Sequence, residues 1–317
     1  MNGRLWTYVP FALIAPRNNP ILRNKVIVRR WPDTTFPDLF HLVARRGFCE
    51  VDILYLDSIF QSFWLKALRF KKSVFRVMDN HLGFPGWGKS ILEVAKDIAK
   101  SVDVVVYSAK TLEHYVQDLE PERAAYVPNS INFESFTSSS REIPTILRKI
   151  PKPIAVYVGA MDAWFNFSLI ARAAQDLPNV SFVLIGPDKL ARNKFRGVPN
   201  IHMIGPVKHS RLAQYLYNSD AGIIPFNISR YPSLIHSINP LKLYEYLACG
   251  LPVVSTEWEE LRRIDSPAVL CRGANEFIRA LEKAVTNPQN KEVFIQYAKK
   301  HDWGSSFQTL MRAIGEL

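Results

Sequence analysis

The segment that most restricts the fold of this chain covers residues 239–255, with the sequence NPLKLYEYLACGLPVVS. Pro240 suits the first turn of a helix, and Gly250 suits the left-handed position just beyond a helix end. Pro252 prevents the helix from continuing, and the β-branched run that begins at Val253 is typical of a buried parallel strand. The segment therefore predicts a short helix that leads into the sheet of an α/β domain.

Apolar runs and amphipathic stretches alternate along the chain, which indicates parallel sheets covered by helices. The predicted strands are residues 5–9, 11–14, 51–55, 74–77, 104–107, 154–158, 180–185, 201–204 and 221–225. The predicted helices are residues 38–46, 59–69, 91–98, 108–119 with Ser108 as N-cap, 167–175, 210–218, 275–285, 291–301 and 305–314, and residues 83–88 are predicted as a turn. The Ser- and Pro-containing segment 137–152 is predicted as a linker between a domain of residues 1–136 and a domain of residues 153–317.

Three of the predicted strands in the second half end in glycine, at Gly159, Gly186 and Gly205. Ligands of open α/β sheets bind beyond the carboxyl ends of the strands, and glycine lets a ligand approach the backbone closely. Each glycine alone is also compatible with an ordinary turn. Their repetition favours a nucleotide site, so Gly159, Ala160 and Gly205 are candidate binding residues.

Lys242 and Glu245 are three residues apart and share one face of the predicted helix. A helix N-terminus favours anions, the lysine adds a positive charge for a phosphate, and the glutamate offers an acceptor for two neighbouring hydroxyls. Together these features fit the diphosphate and ribose of a nucleotide, although the same spacing also describes a solvated ion pair. Arg230, in the preceding loop, is either a second cation for the phosphates or an ordinary surface arginine.

Composition limits the class of protein. The chain has 317 residues, enough for two domains with separate cores. Its three cysteines are widely spaced, which predicts no disulfide or metal framework and favours a reducing cytoplasm. No apolar run approaches the roughly 20 residues of a membrane span. We therefore expect a cytoplasmic protein.

The net charge of +11 is concentrated at the start of the chain. Residues 1–76 hold 13 of the 40 Lys and Arg but 5 of the 29 Asp and Glu. Within residues 59–70, large apolar side chains alternate with Lys66 and Arg69, a pattern that suits an anionic membrane surface. A core helix with a solvated basic edge explains the pattern equally well. No nucleic-acid recognition motif accompanies the charge, so we expect no nucleic-acid partner.

Residues 240–254 resemble the donor-site signature of glycosyltransferases with the GT-B fold. The lysine three residues before Glu245 is similar to that of bacterial polysaccharide enzymes akin to the xanthan glucuronosyltransferase. In retaining members of family 4 another glutamate stands eight positions earlier, where this chain has Ser237. The resemblance implies two Rossmann-like domains facing a cleft, an acceptor-side N-terminal domain and a C-terminal domain that binds the nucleotide sugar. The first 70 residues lack the family's Gly-rich loop, so the N-terminal domain is expected to be abbreviated.

The resemblance also implies an activity: sugar transfer from a nucleoside diphosphate sugar, with UDP as the expected carrier. The acceptor would be a glycan or a lipid-linked glycan of bacterial surface polysaccharide synthesis, and the enzyme would lie on the inner membrane face. The chain has no Asp-x-Asp motif, so we expect no metal and no cofactor besides the nucleotide-sugar co-substrate. An inactive nucleotide-sugar-binding or scaffolding subunit with the same fold is the alternative.

Asp79, just past a predicted strand, is the candidate catalytic base for an inverting displacement, by similarity to an acidic residue of the xanthan-type enzymes. An Asx-turn or helix-capping role is the other interpretation of Asp79. His81 and His114 are further candidates for the base, and a retaining course stays open.

Overall fold

The computed structural model describes residues 5–16, 22, 24–83, 89–287 and 289–315. The chain forms two compact units, of which the first contains residues 1–127 and 309–317 and the second contains residues 128–308. The segment predicted as a linker, residues 137–152, lies within the second unit, where Leu147 is buried. The units therefore divide nine residues earlier than the predicted domain end at residue 136.

The first unit contains a parallel sheet of four described strands in the order β3-β4-β5-β6 and a two-stranded antiparallel sheet of β1 and β2. The strands are β1 (Phe11–Ala12), β2 (Thr35–Phe36), β3 (Glu50–Leu56), β4 (Arg69–Val77), β5 (Val104–Tyr107) and β6 (Ala124–Tyr126). The helices are α1 (Lys25–Arg30), α2 (Leu39–Arg45), α3 (Trp64–Ala67), α4 (Lys89–Ala99) and α5 (Glu113–Gln117). All four residues of β5 are buried, as expected for an apolar strand covered on both faces.

Two predictions for the first unit were wrong. The helix predicted over residues 59–69 is a 3-10 turn at Ile59–Gln61 followed by the single turn of α3, because Arg69 and Phe70 already pair with Glu50 and Val51 in the sheet. The strand predicted over residues 5–9 is irregular, and only Phe11–Ala12 forms strand pairs. At residues 69 and 70 pairing with a distant strand decided the local structure, which no local pattern reveals.

A further prediction fails at Ser108. The helix expected to begin after it starts with a 3-10 turn at Lys110–Leu112 and continues as α5, and Ser108 itself is buried. Its hydroxyl donates to the carbonyl oxygen of Met78 at 3.1 Å instead of capping a helix. Residues 84–88 of the predicted turn lie outside the described residues.

The second unit contains a parallel sheet of six described strands in the order β12-β11-β10-β7-β8-β9. The strands are β7 (Ile154–Val158), β8 (Ser181–Ile185), β9 (Ile201–Gly205), β10 (Ala221–Ile224), β11 (Val253–Thr256) and β12 (Val269–Cys271). The helices are α6 (Phe133–Thr137), α7 (Phe167–Asp176), α8 (Lys189–Lys194), α9 (Leu212–Tyr217), α10 (Pro232–Ile235), α11 (Leu241–Ala248), α12 (Glu259–Ile264), α13 (Ala274–Thr286) and α14 (Lys291–Lys299). A last helix, α15 (Trp303–Ile314), begins in the second unit, and its residues from 309 onward belong to the first. The predicted α/β class with parallel sheets is confirmed.

Among the described residues, no helix is both long enough and apolar enough to cross a membrane. Helix α15 ends with Ile314, which is buried in the first unit against Val74, Val104 and Val127. A residue from the end of the chain thus completes the core of the first unit.

Candidate functional site

Helix α11, which carries Lys242 and Glu245, is fixed to the second sheet by Tyr246. The Tyr246 hydroxyl oxygen accepts a hydrogen bond of 2.7 Å from the backbone N–H of Val158, the last residue of β7. The Tyr246 ring covers Gly222 of β10, where an added Cβ would lie 2.3 Å from ring carbon Cδ2. Gly250 has a φ of +72° just past the helix, as its position in the sequence predicts. These contacts hold α11 at the carboxyl end of β7.

The Lys242 side chain is half-buried between two aromatic rings. Its Nζ lies 5.0 Å from the ring centroid of Tyr157 and 4.7 Å from that of Phe226. Burial lowers the pKa of Lys242 to about 8, and the nearby Glu245 carboxylate opposes this shift. No carboxylate of the described residues lies within the 4.0 Å of an ion pair with Lys242. A desolvated cation held by ring faces and lacking a carboxylate partner is suited to binding an anion.

Gly159 leaves the space that the Lys242 ammonium occupies. An added Cβ at Gly159 would lie 3.3 Å from Lys242 Nζ and 3.0 Å from the Tyr157 hydroxyl oxygen. The Gly159 N–H already donates to the carbonyl oxygen of Ile185 at 2.9 Å, so this N–H is occupied. The carbonyl oxygen of Ala160 accepts from the Tyr157 hydroxyl at 3.0 Å. Gly159 and Ala160 therefore shape the surroundings of Lys242 through space and through Tyr157.

Gly186 and Gly205 continue this edge of the sheet. Gly186 has a φ of +137°, and an added Cβ there would lie 2.1 Å from the carbonyl oxygen of Gly159. Its N–H donates to the carbonyl oxygen of Gly205 at 2.9 Å. Gly205 has a φ of +78°, with open space where a Cβ would stand. The three strand ends are thus joined to one another, with Lys242 beside Gly159.

Glu245 lies one turn further along α11 and is buried. Its Oε1 is 3.0 Å from Nε2 of His209, whose side chain is 69% exposed. The hydrogen bond to Glu245 raises the pKa of His209, against the opposing effect of burial. The His209 ring also packs edge-on against Phe136, with ring centroids 5.5 Å apart. One carboxylate oxygen of Glu245 therefore has a side-chain partner, His209, within the described part of the chain.

Arg230 is exposed and lies in a different pocket of the second unit. Its guanidinium carbon is 5.6 Å from the ring centroid of Tyr231. Together with Lys194 and Asn227 it lines a cavity of about 540 Å³, whose lining does not include Lys242. The structure therefore does not bring Arg230 together with the Lys242 and Glu245 pair.

Asp79 follows the end of β4 in the first unit. Its carboxyl group is half-buried, and burial raises its pKa above the ordinary value. The neighbouring His81 has Nδ1 2.8 Å from the Tyr115 hydroxyl oxygen, and burial lowers its pKa to about 4. His114 is exposed on α5. The raised pKa makes Asp79 a stronger base than an ordinary aspartate, whereas the lowered pKa makes His81 a weaker base than an ordinary histidine.

The chain is similar to known proteins in sequence and in fold. Residues 152–287 match the family model described as Glycosyl transferases group 1. Sucrose-phosphate synthase from Thermosynechococcus elongatus superposes with a TM-score of 0.68 at 16% identity, covering 92% of this chain and 80% of that one. Anabaena HepE in complex with UDP and glucose gives 0.68 at 14% identity over 88% and 81%. The trehalose 6-phosphate synthase of Burkholderia multivorans gives 0.67 at 14% identity over 91% and 75%.

The chain has the GT-B fold. A relative in Bacillus subtilis (strain 168), TuaH, provisionally named a teichuronic acid biosynthesis glycosyltransferase, is 28% identical over 207 residues. That alignment covers 61% of this chain and 51% of TuaH, so the chain matches about half the length of this relative. The predicted resemblance to GT-B glycosyltransferases is confirmed.

Several residues around Lys242 and Glu245 were not among the predicted site residues. Tyr157 and Phe226 flank Lys242, and His209 contacts Glu245. Tyr157 and Phe226 lie within or next to apolar strands, so their pattern in the sequence describes core residues only. Gly186 could have been predicted as a site residue, because it ends a predicted strand in the same way as Gly159 and Gly205.

Proposed function

We propose that this protein transfers a sugar from a nucleoside diphosphate sugar, with UDP as the carrier, to a glycan or lipid-linked acceptor in bacterial surface polysaccharide synthesis. Glycosyl transfer as the reaction class is supported by the match of residues 152–287 to the group 1 glycosyltransferase model and by the GT-B fold. The UDP complex of HepE, which shares the fold, supports a UDP-linked donor, and the name of TuaH supports a polysaccharide product. The rings of Tyr157 and Phe226 around the Lys242 ammonium support binding of the donor through its diphosphate.

The single observation that carries the proposal is the Lys242 ammonium, which sits between two rings without a carboxylate partner among the described residues. In the proposed complex this ammonium pairs with the diphosphate. During transfer the departing nucleoside diphosphate gains negative charge. A cation already desolvated and positioned stabilises that charge without further reorganisation.

Glu245 is proposed to bind the ribose. A carboxylate accepts hydrogen bonds from two neighbouring hydroxyls, and the contact with His209 fixes the orientation of Glu245. Gly205 is the last residue of β9 and has open space where a Cβ would stand, which leaves room for the nucleoside. Arg230 is proposed as a second cation for the donor, although the cavity that it lines does not include Lys242 or Glu245.

Asp79 is proposed as the base that removes the proton from the acceptor hydroxyl. A single displacement by that hydroxyl at the anomeric carbon inverts its configuration, while the electron pair of the broken bond leaves with the nucleoside diphosphate. The raised pKa of Asp79 favours proton removal near neutral pH. We propose that Lys242 supplies the charge stabilisation that metal-dependent transferases obtain from a divalent ion.

The acceptor is proposed to lie at an anionic membrane surface, with the enzyme attached peripherally to the inner face. The basic residues of the first unit and its exposed apolar side chains, among them Phe11, Leu13 and Phe36, support this placement.

Replacement of Lys242 tests the proposed function. The variant Lys242→Ala is expected to bind UDP at least about tenfold more weakly and to lose transfer, because a charged hydrogen bond contributes about 1.5–3 kcal/mol. Lys283→Ala removes an exposed lysine of α13 and serves as the control. UDP binding is measured by calorimetry, and transfer is measured as UDP release from a panel of UDP-sugars. Near-normal transfer by Lys242→Ala would refute the phosphate role, and wild-type UDP binding without turnover of any donor would favour a binding subunit.

A further inference from the structure

The first unit contains a groove of about 980 Å³ between helices α1, α3 and α4. Its floor is apolar, with side chains contributed by four different segments of the chain. These include Phe40 of α2, Phe63 before α3, Phe70 of β4, and Val94 and Ile98 of α4. The volume lies at the upper end of the range for small-ligand sites, which bury most of an apolar ligand.

The rim of the groove is basic. Four cations line it against a single carboxylate, Asp97. Three of the four already have carboxylate partners, and the pairs are Arg29–Asp97, Arg30–Asp33 and Lys100–Glu120. The fourth, Lys66, is exposed and has no ion pair among the described residues. The rim therefore offers Lys66 to a negatively charged group, with arginines beside it.

A polar group inside the groove also lacks a partner. Ser62 is one of the residues that line the groove, and its buried Oγ atom makes no hydrogen bond within the described part of the chain. A buried hydroxyl without a partner is costly and is explained when a ligand supplies the bond. Ser62 can donate to an ester or phosphate oxygen.

We propose that the groove binds one anionic phospholipid, with an acyl chain along the apolar floor and the phosphate at Lys66. The inference rests on the membrane association proposed above and assigns it a specific site. Phe11 and Phe36 are paired across the β1–β2 ladder, and their side chains are 65% and 76% exposed. Two residues separate Phe36 from helix α2, which contributes Phe40 to the floor. Exposed rings and basic side chains in the same unit match the interfacial region of a bilayer.

The bound lipid is distinct from the sugar acceptor. The groove includes Phe70 near the start of β4, whereas Asp79 follows the end of the same strand. At about 3.3 Å per residue, nine residues of strand separate these positions by about 30 Å. A lipid in the groove therefore holds the first unit at the membrane and leaves the carboxyl end of its sheet free.

The test compares vesicle binding of two groove variants with that of the wild type. Vesicles are pure phosphatidylcholine or an equal mixture with phosphatidylglycerol, and binding is measured by cosedimentation. Lys66→Glu reverses the charge at the rim, and Ala67→Trp fills the groove from an exposed position. Lys283→Glu makes the same change of charge in the second unit. The wild type and Lys283→Glu are expected to bind the anionic vesicles, and each groove variant is expected to bind about tenfold more weakly.

Several results would overturn this inference. They are absence of wild-type binding to the anionic vesicles, binding by both groove variants as strong as that of the wild type, and release of the wild type by inorganic phosphate but not by chloride of the same ionic strength. The last result would assign the groove to free phosphate. UDP affinity, measured on every variant, is expected to equal that of the wild type. The donor site and the lipid groove can thus fail independently of each other.

Discussion

At the scale of single residues, Lys242 shows how far a sequence can define a site. The spacing of Lys242 and Glu245 placed both on one helix, and the structure confirms that helix. Tyr157 and Phe226, which surround the ammonium, are 85 and 16 residues away along the chain. Sequence could not associate them with Lys242, because strands β7 and β10 become neighbours only in the folded sheet. Ring faces offset part of the cost of burying the charge.

The lowered pKa of Lys242 makes UDP binding dependent on pH. The ammonium loses its proton at a pH of about 8 in the free protein, whereas a bound diphosphate retains the charged form. Affinity for UDP is therefore expected to be greatest below that pH and to fall up to about tenfold for each unit above it. The Tyr157 hydroxyl does not titrate in this range, because burial raises its pKa.

Calorimetry of UDP binding between about pH 7 and about pH 9.5 measures this dependence. The variant Lys242→Arg is the matched control, since a guanidinium stays charged throughout. Its affinity for UDP is expected to vary little over the same range. Identical profiles for Lys242→Arg and the wild type would show that another group causes the dependence.

At the scale of elements, the second unit was more predictable from sequence than the first. Three of its six described strands, β7, β8 and β9, coincide with short apolar runs that end in glycine, so local pattern and tertiary pairing agree there. In the first unit the segment 59–69 has the apolar and basic spacing of a helix, but Arg69–Val77 pairs with β3 and β5 as one long strand. The short helices α8, α10 and α12, of four to six residues each, carry too few residues to show a period.

The packing of helix α11 on the sheet depends on Gly222. A Cβ in Gly222→Ala would lie 2.3 Å from the Tyr246 ring, so either the strand or the helix must shift. We expect a loss of about 1–3 kcal/mol in the free energy of unfolding, as for overpacked cores, together with weaker UDP binding. Urea denaturation and calorimetry measure the two effects.

Gly273→Ala is the control for this substitution, because an added Cβ at Gly273 meets no atom within 4 Å. Its unfolding free energy is expected to change by less than about 1 kcal/mol. Equal stability of Gly222→Ala and Gly273→Ala would mean that Tyr246 moves without cost, and that α11 is not fixed by its ring.

At the scale of the whole molecule, the net charge of +11 and its concentration in residues 1–76 were readable from sequence, and so was the GT-B resemblance. The division of the chain into its two units was not readable from the sequence. Residues 309–317 belong to the first unit although they follow the second in the chain, because Ile314 completes an apolar cluster with Val74 and Val104. The amphipathic pattern of α15 indicates a buried face but does not identify the core that buries it.

The role proposed for Lys242 also leads to a prediction about metals for the molecule as a whole. Among the described residues, no group of three or more His, Cys, Asp and Glu side chains is placed to hold a metal ion. If Lys242 supplies the charge for the departing diphosphate, as proposed, removal of divalent ions by EDTA should leave the transfer rate within about twofold of its value in Mg²⁺. The rate is measured as UDP release, with a metal-dependent transferase of a different fold treated in parallel to verify chelation. A loss of transfer that Mg²⁺ restores would show that an ion, and not Lys242 alone, neutralises the leaving group.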